Sequence, residues 1–208
     1  MLSPRQRKLV IAAALLVCLM FPVVLLTTSV LSPVVGYVCV LAVYWVFFCL
    51  PVSVVFGRGP DRVPVNLVKR PWWVSAVALA LPVAVFFAAG PTTWLRADRT
   101  VLLLAVGCAL INAPLEELAW RRSFRANSGS KLWFELLGLA LFALWHVPLF
   151  FSRGIEFDHG FAGLVGGAFA LGTVWVLLTR VSHSVGWPIV SHVLVNTAAF
   201  VPFFAANA

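Results

Sequence analysis

Charge is what this sequence has least of. Only 11% of its 208 residues are Asp, Glu, Lys or Arg, and just seven are acidic, whereas soluble domains carry about 25% charged residues. A water-soluble globule cannot clothe its surface on that supply. Cysteine is equally sparse. Cys18, Cys39, Cys49 and Cys108 all lie inside apolar runs, without a CxxC spacing or a neighbouring histidine, so neither a disulfide framework nor a zinc cluster is indicated. The sequence has no HExxH and no internal repeat, and the second absence weighs against the inverted-repeat transporters.

What is present is apolar: 62% of the residues are hydrophobic, and the mean hydropathy is +1.01. A membrane-spanning helix needs about 20 such residues. On that measure the chain divides into seven candidate spans, near 9–31, 34–56, 72–89, 101–120, 132–151, 161–179 and 185–204. The fold class that follows is all-α, a polytopic membrane bundle of about seven helices. The first span exceeds the 7–15 apolar residues of a signal-peptide core and is read as a retained anchor. Residues 1–100 are expected to be an accessory set of three helices, and 101–208 the core.

A net charge of +8 and a pI near 10.2 could suggest nucleic acid, but the basic residues are scattered between spans rather than gathered in one patch, so no nucleic-acid partner is expected. Their distribution instead sets orientation. With the N-terminus inside, 12 of the 15 Lys and Arg fall on the cytoplasmic side, and only Arg96, Arg99 and Arg153 fall outside. The positive-inside rule then gives an integral protein of the cell membrane with a cytoplasmic N-terminus and an extracytoplasmic C-terminus. Trp72, Trp73, Trp94, Trp120, Trp133 and Trp187 lie near the proposed helix ends, where indole favours the interface. The connection 57–71 carries no motif and is expected only to join two spans. Gly163/Gly167 and Ala168/Gly172 have the spacing of a tight helix–helix contact.

Against this background the ionisable residues inside the spans stand out, because burying charge in hydrocarbon is expensive and is usually retained for function. EELAWR (116–121), FALWH (142–146) and HVLVN (192–196) carry them on three spans. Glu117 and Arg121 are one turn apart and can pair, as can His192 and Asn196. Glu116, about 100° round an ideal helix from Glu117, is left to face elsewhere. Taken singly, each has an ordinary reading: an interfacial ion pair, an interhelical histidine, an amide bridging helices, and core packing for Phe142. Two carboxylates, two histidines and an amide on three spans point to a shared polar site. One feature resists that reading. Counted at about 1.5 Å per residue from the proposed cytoplasmic ends, Glu116 lies roughly 6 Å deep, His192 roughly 10 Å and His146 nearer 20 Å.

The ordered set EExxxR, FxxxH and HxxxN resembles the three motifs of the CPBP family, the type II CAAX prenyl endopeptidases and their bacterial relatives, over about residues 101–200. The resemblance implies an intramembrane endopeptidase with its site open to the cytoplasm, acting on a lipid-anchored or membrane-associated peptide or protein. In that reading Glu116 is the general base, His146 holds the water, His192 and Asn196 stabilise the oxyanion, and Glu117 orients the site through Arg121. A second mechanism would use Glu116, His146 and His192 as ligands of Zn²⁺. Catalysis without a cofactor is the favoured expectation. A non-proteolytic scaffold or bacteriocin-immunity factor is the alternative function, with an ion-coupled transporter behind it.

Overall fold

The computed structural model describes residues 2–208, and they are helical throughout, with no strand among them. Six helices are long and apolar enough to cross a membrane: α1 (Pro4–Val30), α2 (Pro33–Phe56), α5 (Arg99–Ala126), α6 (Leu132–Phe150), α7 (Ala162–Ser182) and α8 (Gly186–Asn207). Between α2 and α5 lie the shorter apolar α3 (Trp73–Ala88) and the one-and-a-half-turn α4 (Pro91–Arg96). Large apolar side chains face outward, among them Phe47, Val54, Phe87, Leu95 and Leu103. Such a surface requires lipid around it, and the protein is an integral membrane protein.

The helices start and stop for local reasons. Ser3 and Gln6 form a reciprocal capping box with Pro4 in the first turn of α1, which satisfies donors that the first turn leaves free. Asp98 caps α5 through the Val101 N–H at 2.8 Å. After α3, Gly90 turns the chain with φ +84°, a conformation that glycine adopts without steric penalty. At 16 residues, α3 is about 24 Å long, short of a hydrocarbon core of about 30 Å.

One end of the bundle is basic and closed. It gathers the start of α1, the end of α2, the 57–71 connection, the end of α5 and the junction of α7 with α8. Arg5 donates to Asn127 Oδ1 and to the carbonyls of Val55 and Arg58. Glu135, 4% exposed, accepts from Arg125 at 3.1 Å and Arg180 at 2.7 Å. The 57–71 connection does more than join two spans, because it is laid across this end. Asp61 N–H donates to Ala126, Arg122 Nε to Val63, and Val185 N–H to Pro64, while Val63 packs with Ala126 and Val185. A Cβ on Gly59 would sit 2.0 Å from the Ala126 carbonyl, and one on Gly186 would sit 2.1 Å from that of Asn66. Only glycine permits backbone contact that close.

Two expectations are corrected here. Trp120 is not interfacial: it is 2% exposed, donates to the Tyr44 hydroxyl and lies in the central aromatic cluster. Trp72 and Trp133, by contrast, are exposed near helix ends. Gly172 is packed as expected, with a hypothetical Cβ 2.7 Å from Leu139 and 2.8 Å from Arg121. Gly167 is not, because nothing lies within 4 Å of its Cβ position, and it borders a cavity instead.

Candidate active site

The two glutamates sit where α5 changes its winding. Residues 99–116 are α-helical, 117–122 form a π-helical turn, and α-helix resumes at Ser123. A π turn admits an extra residue, turning the chain less per residue than an α-helix, and such bulges concentrate at functional sites. Consequently Glu116 and Glu117 do not diverge by a full 100°, as ideal helix geometry predicts. Both reach the same imidazole. His192 Nδ1 is 2.9 Å from Glu117 Oε1, and its Nε2 is 3.4 Å from Glu116 Oε2. The expected Glu117–Arg121 pair is present at 3.5 Å, so Glu117 serves two partners rather than one.

Around this cluster the packing is aromatic and dry. Trp175 stacks on the His192 ring with centroids 3.8 Å apart. Arg121 lies over the face of Phe142 at 3.8 Å, a cation–π contact that is stronger in a desolvated place. Phe142 is core packing, as its spacing suggested, but its ring face also receives the Arg121 guanidinium and its carbonyl accepts from His146 Nδ1–H at 2.8 Å. That carbonyl can only accept, so Nδ1 carries the hydrogen and Nε2 remains for other partners. Glu116, Glu117, Arg121 and His192 are each at most 4% exposed. Glu117 is thus shared between the Arg121 guanidinium and the His192 ring in a buried place, where an unpaired charge would be costly.

Glu116 is held further by Asn112, which lies outside the three motif stretches, and by Trp145, one of the unspecified positions of FxxxH. Asn112 Nδ2 donates to its Oε2 at 2.9 Å, and Trp145 Nε1 donates to its Oε1 at 3.3 Å. Asn112 is itself fixed by Trp45 Nε1 of α2 at 2.7 Å. Asn112 could have been found as the lone amide within VLLLAVGCALINAPL. Trp145, Trp175 and Trp45 carry no comparable signal, since tryptophan in an apolar span reads as packing.

Glu116, His146, His192 and Asn196 line one cavity of about 510 Å³, with α2, α3, α5, α6, α7, α8 and the 151–161 connection contributing to its wall. Glu117 and Arg121 lie behind it rather than on it. Glu116 lies nearer the depth of His146 than the sequence suggested, because α5 continues to Ala126 and places it roughly 15 Å from that end. Asn196 is 9% exposed, and its Nδ2 has no hydrogen-bond partner among the described residues. It is a buried, unpartnered donor of a residue that lines the cavity. His192, expected beside it as a second oxyanion donor, has both nitrogens turned to carboxylates.

The expected zinc ligands do not form a set. Among the described residues no three His, Cys, Asp or Glu side chains are arranged to hold a metal ion. His192 is occupied on both nitrogens, and His146 joins neither it nor Glu116 by a hydrogen bond. No step is therefore built on a metal.

The cavity extends away from the basic end of the bundle. Its far wall is formed by Ala88 and Ala89, Phe157 to Gly160, and Pro202 and Phe203, all at the end away from the basic residues.

A family model, Type II CAAX prenyl endopeptidase Rce1-like, matches residues 98–198. That stretch belongs to the Rce1-like family. It contains all three motifs and runs from the cap of α5 into the middle of α8, so the family's domain coincides with the helices bearing Glu116, His146, His192 and Asn196. Comparison with curated proteins and with solved structures gave no match. The chain is thus an integral membrane protein with an Rce1-like, CAAX-type endopeptidase domain.

Proposed function

We propose that this Rce1-like protein hydrolyses a peptide bond of a membrane-associated polypeptide inside the bilayer, using a water activated by Glu116 and no metal. The observation that carries the reading is the meeting of Glu116, His146 and Asn196 on one cavity, with Glu117 paired to Arg121 behind them. His146, its Nδ1–H spent on Phe142, offers Nε2 to hold the water. Glu116 takes the water's proton as oxygen attacks the carbonyl carbon. Asn196 Nδ2 supplies a hydrogen bond to the oxyanion that develops. Glu116 then returns the proton to the departing nitrogen, the C–N bond breaks, and a carboxylate and an amine are left. His192, Glu117 and Arg121 keep the geometry and the charge balance.

The test is peptide cleavage by the purified protein in lipid, wild type against Glu116→Gln, each with and without a chelator. Cleavage that survives the chelator but not the substitution is the expected result. Loss of activity in chelator with recovery on adding Zn²⁺ would overturn the metal-free mechanism. Turnover absent from the wild type on a broad peptide library would favour the scaffold reading.

A further inference from the structure

We propose that the cleft between the start of α1 and the end of α2 binds the headgroup of an anionic phospholipid. The cleft is a cavity of about 310 Å³, separate from the one that holds Glu116, and is lined by Pro4, Arg5, Lys8, Val55 and Phe56. Its level suits a headgroup. With 27 residues, α1 is about 40 Å long, so its ends pass beyond a hydrocarbon core of about 30 Å, and the cleft lies at one of them. Arg5 and Lys8 are three residues apart and share a face of the helix. Arg5 is pinned in place: its Nε donates to Asn127 Oδ1, and its Nη2 to the carbonyls of Val55 and Arg58. Those bonds leave the donors of Nη1 for a ligand. Lys8 is exposed, and it carries its ammonium on a flexible stem.

No carboxylate answers this pair of cations. Of the seven acidic residues, only Asp61 and Glu135 lie at the basic end of the bundle. Glu135 is taken by Arg125 and Arg180, and Asp61 Oδ2 accepts from the Ser130 N–H at 3.4 Å. A phosphodiester supplies the missing negative charge, and basic pockets between spanning helices are a recurrent setting for anionic headgroups. The rest of the wall favours a lipid over a free anion. Phe56 sits beside the cations, its ring centroid 5.6 Å from Arg5 Cζ, and the exposed Val55 adjoins it. Beyond Lys8, the exposed Ile11, Leu15 and Leu19 continue along α1 at the spacing of one helix face, a track for an acyl chain. A headgroup held there also braces the helix that carries Glu116. Arg5 and Gln6 both donate to Asn127, just past the end of α5, and Asn127 Nδ2 donates to the carbonyls of Phe56 and Ser123. The lipid thus steadies the junction of α1, α2 and α5.

Lipid binding to the purified protein in detergent tests this without relying on activity. Native mass spectrometry measures the affinity, and thermal unfolding is followed alongside. The probes are dioleoylphosphatidylglycerol, dioleoylphosphatidylcholine and inorganic phosphate. Phosphatidylglycerol should bind more tightly than phosphatidylcholine by about fivefold or more, the worth of one basic residue beside an anionic lipid, and should raise the unfolding temperature. Lys8→Gln should weaken phosphatidylglycerol by about the same factor, whereas Arg7→Gln, which removes an equal charge from the same turn but off the cleft wall, should change it by less than about twofold. Arg5 is left intact, because its bonds hold three elements together. Lys8→Arg keeps the charge and guards against a folding defect in Lys8→Gln, so it should retain the wild-type affinity; a loss as large as that of Lys8→Gln would overturn the role given to the charge. Equal losses in Lys8→Gln and Arg7→Gln would replace the site by diffuse attraction to a basic surface. Equal affinity for the two phospholipids would overturn the preference for an anion. Stabilisation by millimolar phosphate to the same extent as by phosphatidylglycerol would overturn the lipid as the occupant.

Discussion

Replacing Asn112 by Leu would separate holding the base from being the base. Asn112 is 5% exposed, donates to Glu116 Oε2 at 2.9 Å and accepts from Trp45 Nε1 at 2.7 Å. Leucine nearly keeps its shape and removes both bonds. A hydrogen bond to a charged group contributes about 1.5–3 kcal/mol. If the loss falls on the transition state, where the orientation of Glu116 matters, kcat/KM drops by about 10- to 100-fold. The stranded Trp45 N–H adds a stability loss of about 1–3 kcal/mol. Trp45→Phe supplies the control, because it removes only the outer bond. It should destabilise by a similar amount while kcat stays within about threefold. The measurements are kcat and KM on a cleaved peptide, with thermal unfolding in detergent for both variants. An Asn112→Leu protein that keeps full kcat would refute the idea that Glu116 needs this donor, and equal losses of kcat in both variants would show the effect to be one of stability alone.

Two further predictions follow from packing and from the buried ions. Gly172→Ala should lower the unfolding temperature, at a cost of about 1–3 kcal/mol, because its methyl would press on Leu139 and on the Arg121 guanidinium; Gly167→Ala, with open space around it, should leave stability unchanged in the same melt. Glu135→Gln strips the shared anion from Arg125 and Arg180; breaking a buried pair costs about 3–5 kcal/mol, and the lower end applies because Arg180 is 29% exposed. Unfolding should show this loss while activity per folded molecule is unchanged, since neither arginine touches the cavity.

What could be read in advance was what depends on composition and period. Seven apolar stretches became six spanning helices and the shorter α3, because a 20-residue apolar run in lipid has few ways to satisfy its backbone other than helix. The polar residues of EELAWR, FALWH and HVLVN met at one place because each was too costly to bury alone. The π-helical turn at 117–122 was not legible, and with it the shared grip of Glu116 and Glu117 on His192. Nothing in ELAWRR distinguishes an i→i+5 turn from an ordinary one, and the difference is settled by tertiary contacts such as Trp120 with Tyr44. The role of the 57–71 connection escaped for a similar reason: backbone carbonyls do its work, and those have no sequence signature.

The adjacent carboxylates should fail in different ways when neutralised. Glu116 lines the cavity and is held by the neutral donors of Asn112 and Trp145. Glu116→Gln removes the proton acceptor and little else, so turnover should fall by roughly 10²- to 10⁴-fold with a melting temperature near that of the wild type. Glu117 is 0% exposed, lies off the cavity, and meets only Arg121 and His192. Glu117→Gln therefore leaves the buried Arg121 guanidinium without its carboxylate, and an uncompensated buried charge costs about 3–5 kcal/mol. That variant should melt early or fail to accumulate, and the molecules that do fold should lose activity because His192 is no longer anchored at Nδ1. Paired measurements of melting temperature and kcat distinguish the two. A stable Glu117→Gln protein with turnover abolished, beside a Glu116→Gln protein retaining more than a tenth of wild-type kcat, would show that Glu117 is the base and that Glu116 merely positions His192.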